Sequence, residues 1–129
     1  MAFKNFNETL RFKAASDFSE DQFKLVELTA NAHEVELGAA GEGYGVLQNH
    51  PQAGEAATVI VAGTSKVIVG GAVAVGDFIT SAATGFIVTT DSGDATSRRV
   101  FGRCLTAAAS GALATILIDK QIVSSGSAL

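Results

Sequence analysis

The sequence predicts an all-β protein, a compact barrel or sandwich-like domain of short strands. Three observations carry that prediction. The stretch Gly43–Thr90 consists almost wholly of small apolar residues, β-branched residues and glycine, with Lys66 as its only basic side chain. Turn signals recur every few residues, and hardly any helical periodicity lies between them. Aromatic residues are only 7%, with 8 Phe, one Tyr and no Trp, so Val, Ile, Leu and Ala must fill the core. Those side chains suit thin sheet layers better than a bulky helical interior.

At 129 residues the chain is most simply one domain with an arm. Hydrophobic residues make up 47% and charged residues 17%, which supplies one core and excludes compositional disorder. The mean hydropathy is positive. That points to apolar surface covered by partner subunits, because a monomer would expose it as a patch. The net charge of -4 comes without any polybasic run, so no nucleic-acid partner is expected. Arg98, Arg99 and Arg103 read as a solvated face or salt-bridge partners. The single cysteine, Cys104, excludes an internal disulfide and fits a reducing compartment. Residues 1–13 contain no apolar signal-peptide region. Ala56–Val75 is long and mainly apolar, but Lys66 at its centre would cost about 2.5–3.5 kcal/mol in a membrane. Gly63, Gly70 and Gly71 break it into strand-length pieces, so no membrane partner is expected.

Residues 1–36 differ from the rest. They hold five of the eight Phe (Phe3, Phe6, Phe12, Phe18 and Phe23) and no glycine. Thr9–Ala14 alternates polar and apolar, which puts Leu10, Phe12 and Ala14 on one face of a strand. Ser16–Asp21 reads as a turn or a short helical turn, with Ser and Asp as caps. Gln22–Thr29 is rich in Phe, Leu, Val and Thr and predicts a strand, and His33–Leu37 predicts a short one. The body opens on the glycine loop 38–43. Tyr44–Asn49 is a strand closed by Asn49-His50-Pro51, the only proline, and Gln52–Glu55 continues that loop. Ala57–Ala62 and Ser65–Val69 read as two strands of a hairpin about Gly63-Thr64. Gly76-Asp77 is a turn in which Gly takes positive φ and Asp bonds the backbone two residues on. Phe78–Ser81, Phe86–Thr90, Arg99–Ala107 and Ala112–Asp119 are the remaining strands. Turns fall at Ala82–Gly85, Asp91–Asp94 and Ala108–Gly111. The alanine run at 107–109 is helix-compatible and is the weakest point of an all-β reading. The chain thus divides into an N-terminal arm with the first strands (1–36), a glycine-rich β body (37–122) and a short flexible tail (123–129).

Groups able to do chemistry are sparse. His33 and His50 with Cys104 do not make a spaced zinc motif. Cys104, set in an apolar segment, reads as a small buried hydrophobe and not as a nucleophile. Asp91–Asp94 lacks the further ligands of a calcium loop. Glu34 and Glu36 share a strand face, an arrangement that usually meets solvent or an interfacial Lys or Arg. No phosphate-binding loop or dinucleotide fingerprint is present. The glycines therefore serve turns and close packing. Neither an enzyme nor a cofactor is expected.

Taken in order, several short elements resemble the capsid cement, or head decoration, proteins of tailed bacteriophages. They are Gly45–Asn49 with Pro51, Gly54–Ala57, the Val-x-Val-x-Gly-x-Ser-Lys-Val run over Val59–Val67, Ala74–Asp77 with Ile79–Ser81 and Gly85, Gly102-Arg103, and the Ile116–Ile118 strand. The resemblance spans roughly residues 43–119 and leaves the first 36 residues less clearly covered. It implies a β-clip or β-tulip architecture and a homotrimer on the outer face of the expanded head. It also implies synthesis in the host cytoplasm and the major capsid protein as partner, with neighbouring subunits clamped together. Phe3, Lys4, Phe6, Leu10, Arg11, Phe12 and Lys13 are the candidate contact arm, with the phenylalanines filling apolar pockets and Lys4, Arg11 and Lys13 setting register. Gln48, Asn49, His50, Pro51 and Glu55 are candidate interface loops. The alternative is a virion-surface barrel that binds a glycan or host-surface ligand. Sugar sites favour exposed aromatics, and Tyr44 stands alone with no Trp beside it.

Overall fold

The computed structural model describes residues 7–39, 41–90 and 98–123. Among them are nine strands: β1 (Glu8–Ala14), β2 (Leu25–Leu28), β3 (Glu34–Leu37), β4 (Gly45–Leu47), β5 (Ala56–Ile68), β6 (Phe78–Ser81), β7 (Ile87–Thr89), β8 (Arg98–Cys104) and β9 (Leu113–Val123). A 3-10 turn at Ala83–Gly85 is the one helical element among these residues. The all-β class holds, and the alanine run is not helical: Ala108 makes a lone bridge with Val73. Asp91–Asp94 and the tail beyond Val123 lie outside the described residues.

Strands β1, β3, β2, β4 and β5 are hydrogen-bonded in that order, and β1 pairs again with β5. The five form a closed barrel, which leaves no exposed sheet edge. On its far side β5 continues into a second sheet in the order β5-β9-β8-β6-β7. The expected boundary between residues 36 and 37 falls inside β3.

The hairpin expected about Gly63-Thr64 is not there. Ala56–Ile68 is one continuous strand of 13 residues. Before Gly63 it pairs with β1 and β4, and from Gly63 onward it pairs with β9. Gly63 takes φ 105, which bends the strand from one sheet into the next without ending it. Each half already has partners on other strands, so the halves need not face each other. The Gly76-Asp77 turn also differs in one detail. Gly76 has the expected positive φ of 89. Asp77, however, bonds backwards, its Oδ2 accepting from Ala74 N at 2.8 Å.

The two sheets create two cores. Ala14, Phe18, Val26, Val35, Leu47, Ala57 and Val59 fill the barrel, with half-buried Phe12 packed against them. Leu25, Val46, Val67, Ile79, Phe101, Cys104 and Ile116 lie in the second core, where the second sheet covers the barrel wall. Adjacent residues thus serve different cores: Leu25 and Val26 on β2, Val46 and Leu47 on β4. Strands buried on both faces carry consecutive apolar residues and not an alternation. These two short strands are the shared wall of the molecule.

One glycine controls how β8 meets β9. Val100 pairs with Gln121 but Gly102 pairs with Ile118, so Asp119 and Lys120 together oppose the single residue Phe101. This is a β-bulge. A Cβ on Gly102 would collide with the carbonyl oxygen of Leu117 and lie 3.0 Å from its carbonyl carbon. Backbone cannot give way as a flexible side chain can. We expect Gly102→Ala to lower the thermal midpoint, by a loss of about 1–3 kcal/mol or more as for other overpacked sites. Gly71→Ala, whose Cβ would meet nothing within 4 Å, should leave the midpoint unchanged. Equal midpoints for the two variants in a thermal melt would contradict the bulge assignment.

Candidate functional site

One end of the barrel brings together several of the residues singled out in the sequence. Phe3, Lys4 and Phe6 lie outside the described residues. Leu10, Arg11, Phe12 and Lys13 lie on β1, paired against β5 in the barrel wall. Their burial is graded along the strand. Leu10 is 38% exposed, Phe12 is half-buried and Ala14 is only 1% exposed, because the face runs out beyond the core at the start of β1. Arg11 and Lys13 point to solvent. Lys13 is the register partner of both Ala56 on β5 and Glu34 on β3.

The loop between β4 and β5 meets this strand at the same end. Ala14 N donates to Glu55 O at 2.9 Å, and Gly54 N donates to Ala14 O at 2.9 Å. Phe18 N donates to the carbonyl of buried Pro51 at 2.8 Å. Asn49 acts as a short splint across the loop: its Nδ2 donates to Ala56 O at 3.0 Å and its Oδ1 accepts from Thr58 N at 3.0 Å. Gln48 turns inward, its Nε2 donating to Val46 O at 3.1 Å and to Ser65 Oγ at 2.9 Å. Glu55 Oε1 accepts from Gln52 N at 2.7 Å, which closes the tip. His50 remains exposed.

Two shallow grooves result, and they share Glu55 and Ala56. One, of about 340 Å³, is lined by Asn49, His50, Pro51, Glu55 and Ala56. The other, of about 310 Å³, is lined by Arg11, Phe12, Lys13, His33, Gly54, Glu55 and Ala56. The structure therefore joins Arg11, Phe12 and Lys13 with Asn49, His50, Pro51 and Glu55 in one continuous rim. Gln48 stands behind it as a strut. Leu10 lies further back along β1. His33, which the sequence did not single out for this surface, joins the rim from the turn before β3, at φ 55. Its carbonyl accepts from Lys13 N at 2.7 Å. The parallel pairing of β1 with β3 puts it there, and nothing local in the sequence announces a parallel pair so near the N-terminus.

That turn is held by a carboxylate. Thr29 Oγ1 and Asn31 Nδ2 both donate to Glu34 Oε1, at 2.8 and 2.9 Å. The bond from Asn31, then that from Thr29, then the charge of Lys13 hold the Glu34 carboxyl below its ordinary value.

The groups that might have served catalysis lie elsewhere. Cys104 is 1% exposed in the second core, away from both rim histidines. Burial, with a smaller push from the Asp77 carboxylate, raises its thiol and disfavours the thiolate. Among the described residues no group of three or more His, Cys, Asp or Glu is placed to hold a metal ion. No helix among them is long and apolar enough to cross a membrane.

The phage cement protein family model matches residues 7–119, most of the chain. The chain belongs to that family. It is thereby a capsid-associated structural protein of bacteriophages, and the family is not one of known enzymes. Among solved structures it is similar to the N base of the head fiber of bacteriophage phi29. Identity is 25% and the TM-score 0.66, over 88% of this chain and 95% of that one. No curated protein matches it. The family match begins at residue 7, so β1 lies within the matched region although the sequence elements carrying the resemblance began near Gly43.

Glu34 supplies a test of the rim's support. A carboxyl held below its unfolded value stabilises the fold fully above that unfolded value, and the contribution is lost as pH falls through the folded value. Glu34→Gln should therefore melt below the parent at neutral pH. The gap should shrink as pH falls below the ordinary carboxylate range and close in stronger acid. A gap independent of pH would show that charge on Glu34 plays no part.

Proposed function

We propose that the protein is a decoration, or cement, protein. In this reading it binds the outer surface of the expanded phage head and clamps neighbouring major capsid protein subunits. The observation that carries the reading is the shared rim. Two sequence segments far apart in the chain meet in one surface at one end of a closed barrel, in a member of the phage cement family. Phe12 offers an apolar body, Arg11 and Lys13 offer cations, and the Asn49–Glu55 loop is already braced. Phe3, Lys4 and Phe6, which precede β1 in the sequence, are the remaining candidates for the contact arm. A preformed contact loses little conformational freedom on binding. A ligand that binds only the assembled shell stabilises it by mass action.

Self-association is the second part of the reading. Val75, Leu105, Leu113 and Leu117 are large apolar residues exposed around the second sheet. They are the natural contact between copies in a homotrimer. Synthesis in the host cytoplasm and a place on the virion exterior follow from the same reading.

Two measurements test it. Removing residues 1–6, or making the double change Arg11→Glu with Lys13→Glu, should weaken binding to expanded heads at least tenfold in a sedimentation assay. The double variant should still melt cooperatively, with a midpoint only slightly lowered, because both side chains are exposed and Lys13 is the smallest of the influences on Glu34. Unchanged binding by both variants would remove the rim and arm from the model. In light scattering the protein should have a mass of about three times 13.1 kDa, and Leu113→Glu with Leu117→Glu should reduce it to one. A strictly monomeric parent at all concentrations would overturn the trimer.

A further inference from the structure

We propose that the cleft between the barrel and the second sheet binds a protein carboxylate, the side chain of an Asp or Glu on an acidic partner segment, with Lys120 and Arg99 as its cations. This site is separate from the rim: the residues lining the two surfaces do not overlap.

The bulge in β9 builds it. Because Asp119 and Lys120 together oppose Phe101, the regular alternation of the strand is broken at Lys120. Bulges re-aim side chains in this way. The Lys120 ammonium sits 4.4 Å from the centroid of the Tyr44 ring and 5.9 Å from that of Phe101. Beside it opens a cleft of about 270 Å³, lined by Gly41, Gly43, Thr80, Arg99, Phe101 and Lys120 among others.

Lys120 is an exposed residue, so in the free protein water serves the ammonium donors that the rings do not. Ring faces attract a cation but do not accept its three N–H donors as a carboxylate does. Among the described residues no acidic group pairs with Lys120. Burial alone lowers its basicity, with no compensating charge. Arg99 differs, since its Nη1 donates to Glu42 Oε2 at 2.6 Å. Two cations and one carboxylate leave the cleft with one excess positive charge, in a chain whose net charge is -4. A ligand with a single negative charge balances it.

Other ligands fit less well. A sugar needs a free aromatic face, and the Tyr44 face already holds Lys120. The same ring also packs against Phe12 in a T-shaped contact, at 6.1 Å and 90°. A dianionic phosphate would meet Glu42 beside Arg99.

The test uses the full isotope-labelled chain and the probe N-acetyl-glutamate methylamide, with its glutamine counterpart and inorganic phosphate as comparators. Saturable amide shifts are expected at Gly41, Gly43, Phe101 and Lys120 with the glutamate probe, none with the glutamine one, and weaker shifts with phosphate. Lys120→Met should weaken the response at least tenfold while keeping the sheet signals, and Arg99→Gln should weaken it less. The Lys120 ammonium should also titrate at higher pH once the probe saturates. This readout decides the matter even where Lys120→Met does not fold. Absent saturation, equal shifts with glutamine or phosphate, full binding by Lys120→Met, or an unmoved Lys120 titration would each overturn the proposal.

Discussion

Everything in this molecule hangs on β5 serving two sheets. A strand that ends at residue 62 would leave the barrel closed but detached from β9, and the second core would lose Val67 and the ladder that joins it to the barrel. Gly63 removes that difficulty, since positive φ lets the chain turn while its amides and carbonyls keep their ladder partners. Thr64 N, on the side away from β9, donates to Asn7 Oδ1 at 3.0 Å, so the bend also fixes where β1 begins. Closure of the barrel through β1 and β5 then follows, and with it the position of Arg11, Phe12 and Lys13.

The rim and the cleft are two results of the same economy. At the rim, strand and loop are tied by backbone bonds between Ala14 and the Gly54–Glu55 tip, and the Arg11 and Lys13 side chains are left outward. At the cleft, one extra residue in β9 changes the direction of a lysine. Each surface combines strand residues with a connection beside them, β1 with the β4–β5 loop at the rim and β8 and β9 with Gly41 and Gly43 at the cleft. Arg11, Phe12, Lys13, Arg99 and Lys120 stand on paired strands, which hold side chains more firmly than loops do.

Much of this was legible in the residues. Alternation in Thr9–Ala14 gave a strand with Leu10, Phe12 and Ala14 on one face, and turn composition gave the breaks at Ser16–Asp21 and Ala82–Gly85. The continuity of β5 was not legible, because a glycine followed by threonine between two apolar runs is written the same way for a hairpin as for a bend. What separates them is the presence of other strands to pair with, and that is tertiary. The same holds for His33 at the rim and for Asp119-Lys120 opposite Phe101. Parallel pairing and bulges are decided by register between distant segments, which no local period encodes.

The placement of charge deserves a physical reading of its own, because the chain is acidic while both of its described surfaces present cations. Arg11 and Lys13 stand together on β1, with Glu55 and Glu34 as neighbours. Arg99 and Lys120 stand together at the cleft, with Glu42. At the rim the two carboxylates match the two cations, whereas at the cleft one carboxylate beside two cations leaves one charge uncompensated. An isolated excess of this kind is screened within about 8–10 Å at physiological salt, so it cannot steer a distant partner strongly. It acts at contact, by penalising a partner that brings a second cation and rewarding one that brings an acid. In a chain with few aromatics and almost no group fit for chemistry, selectivity of that short-range kind is what the sequence can supply.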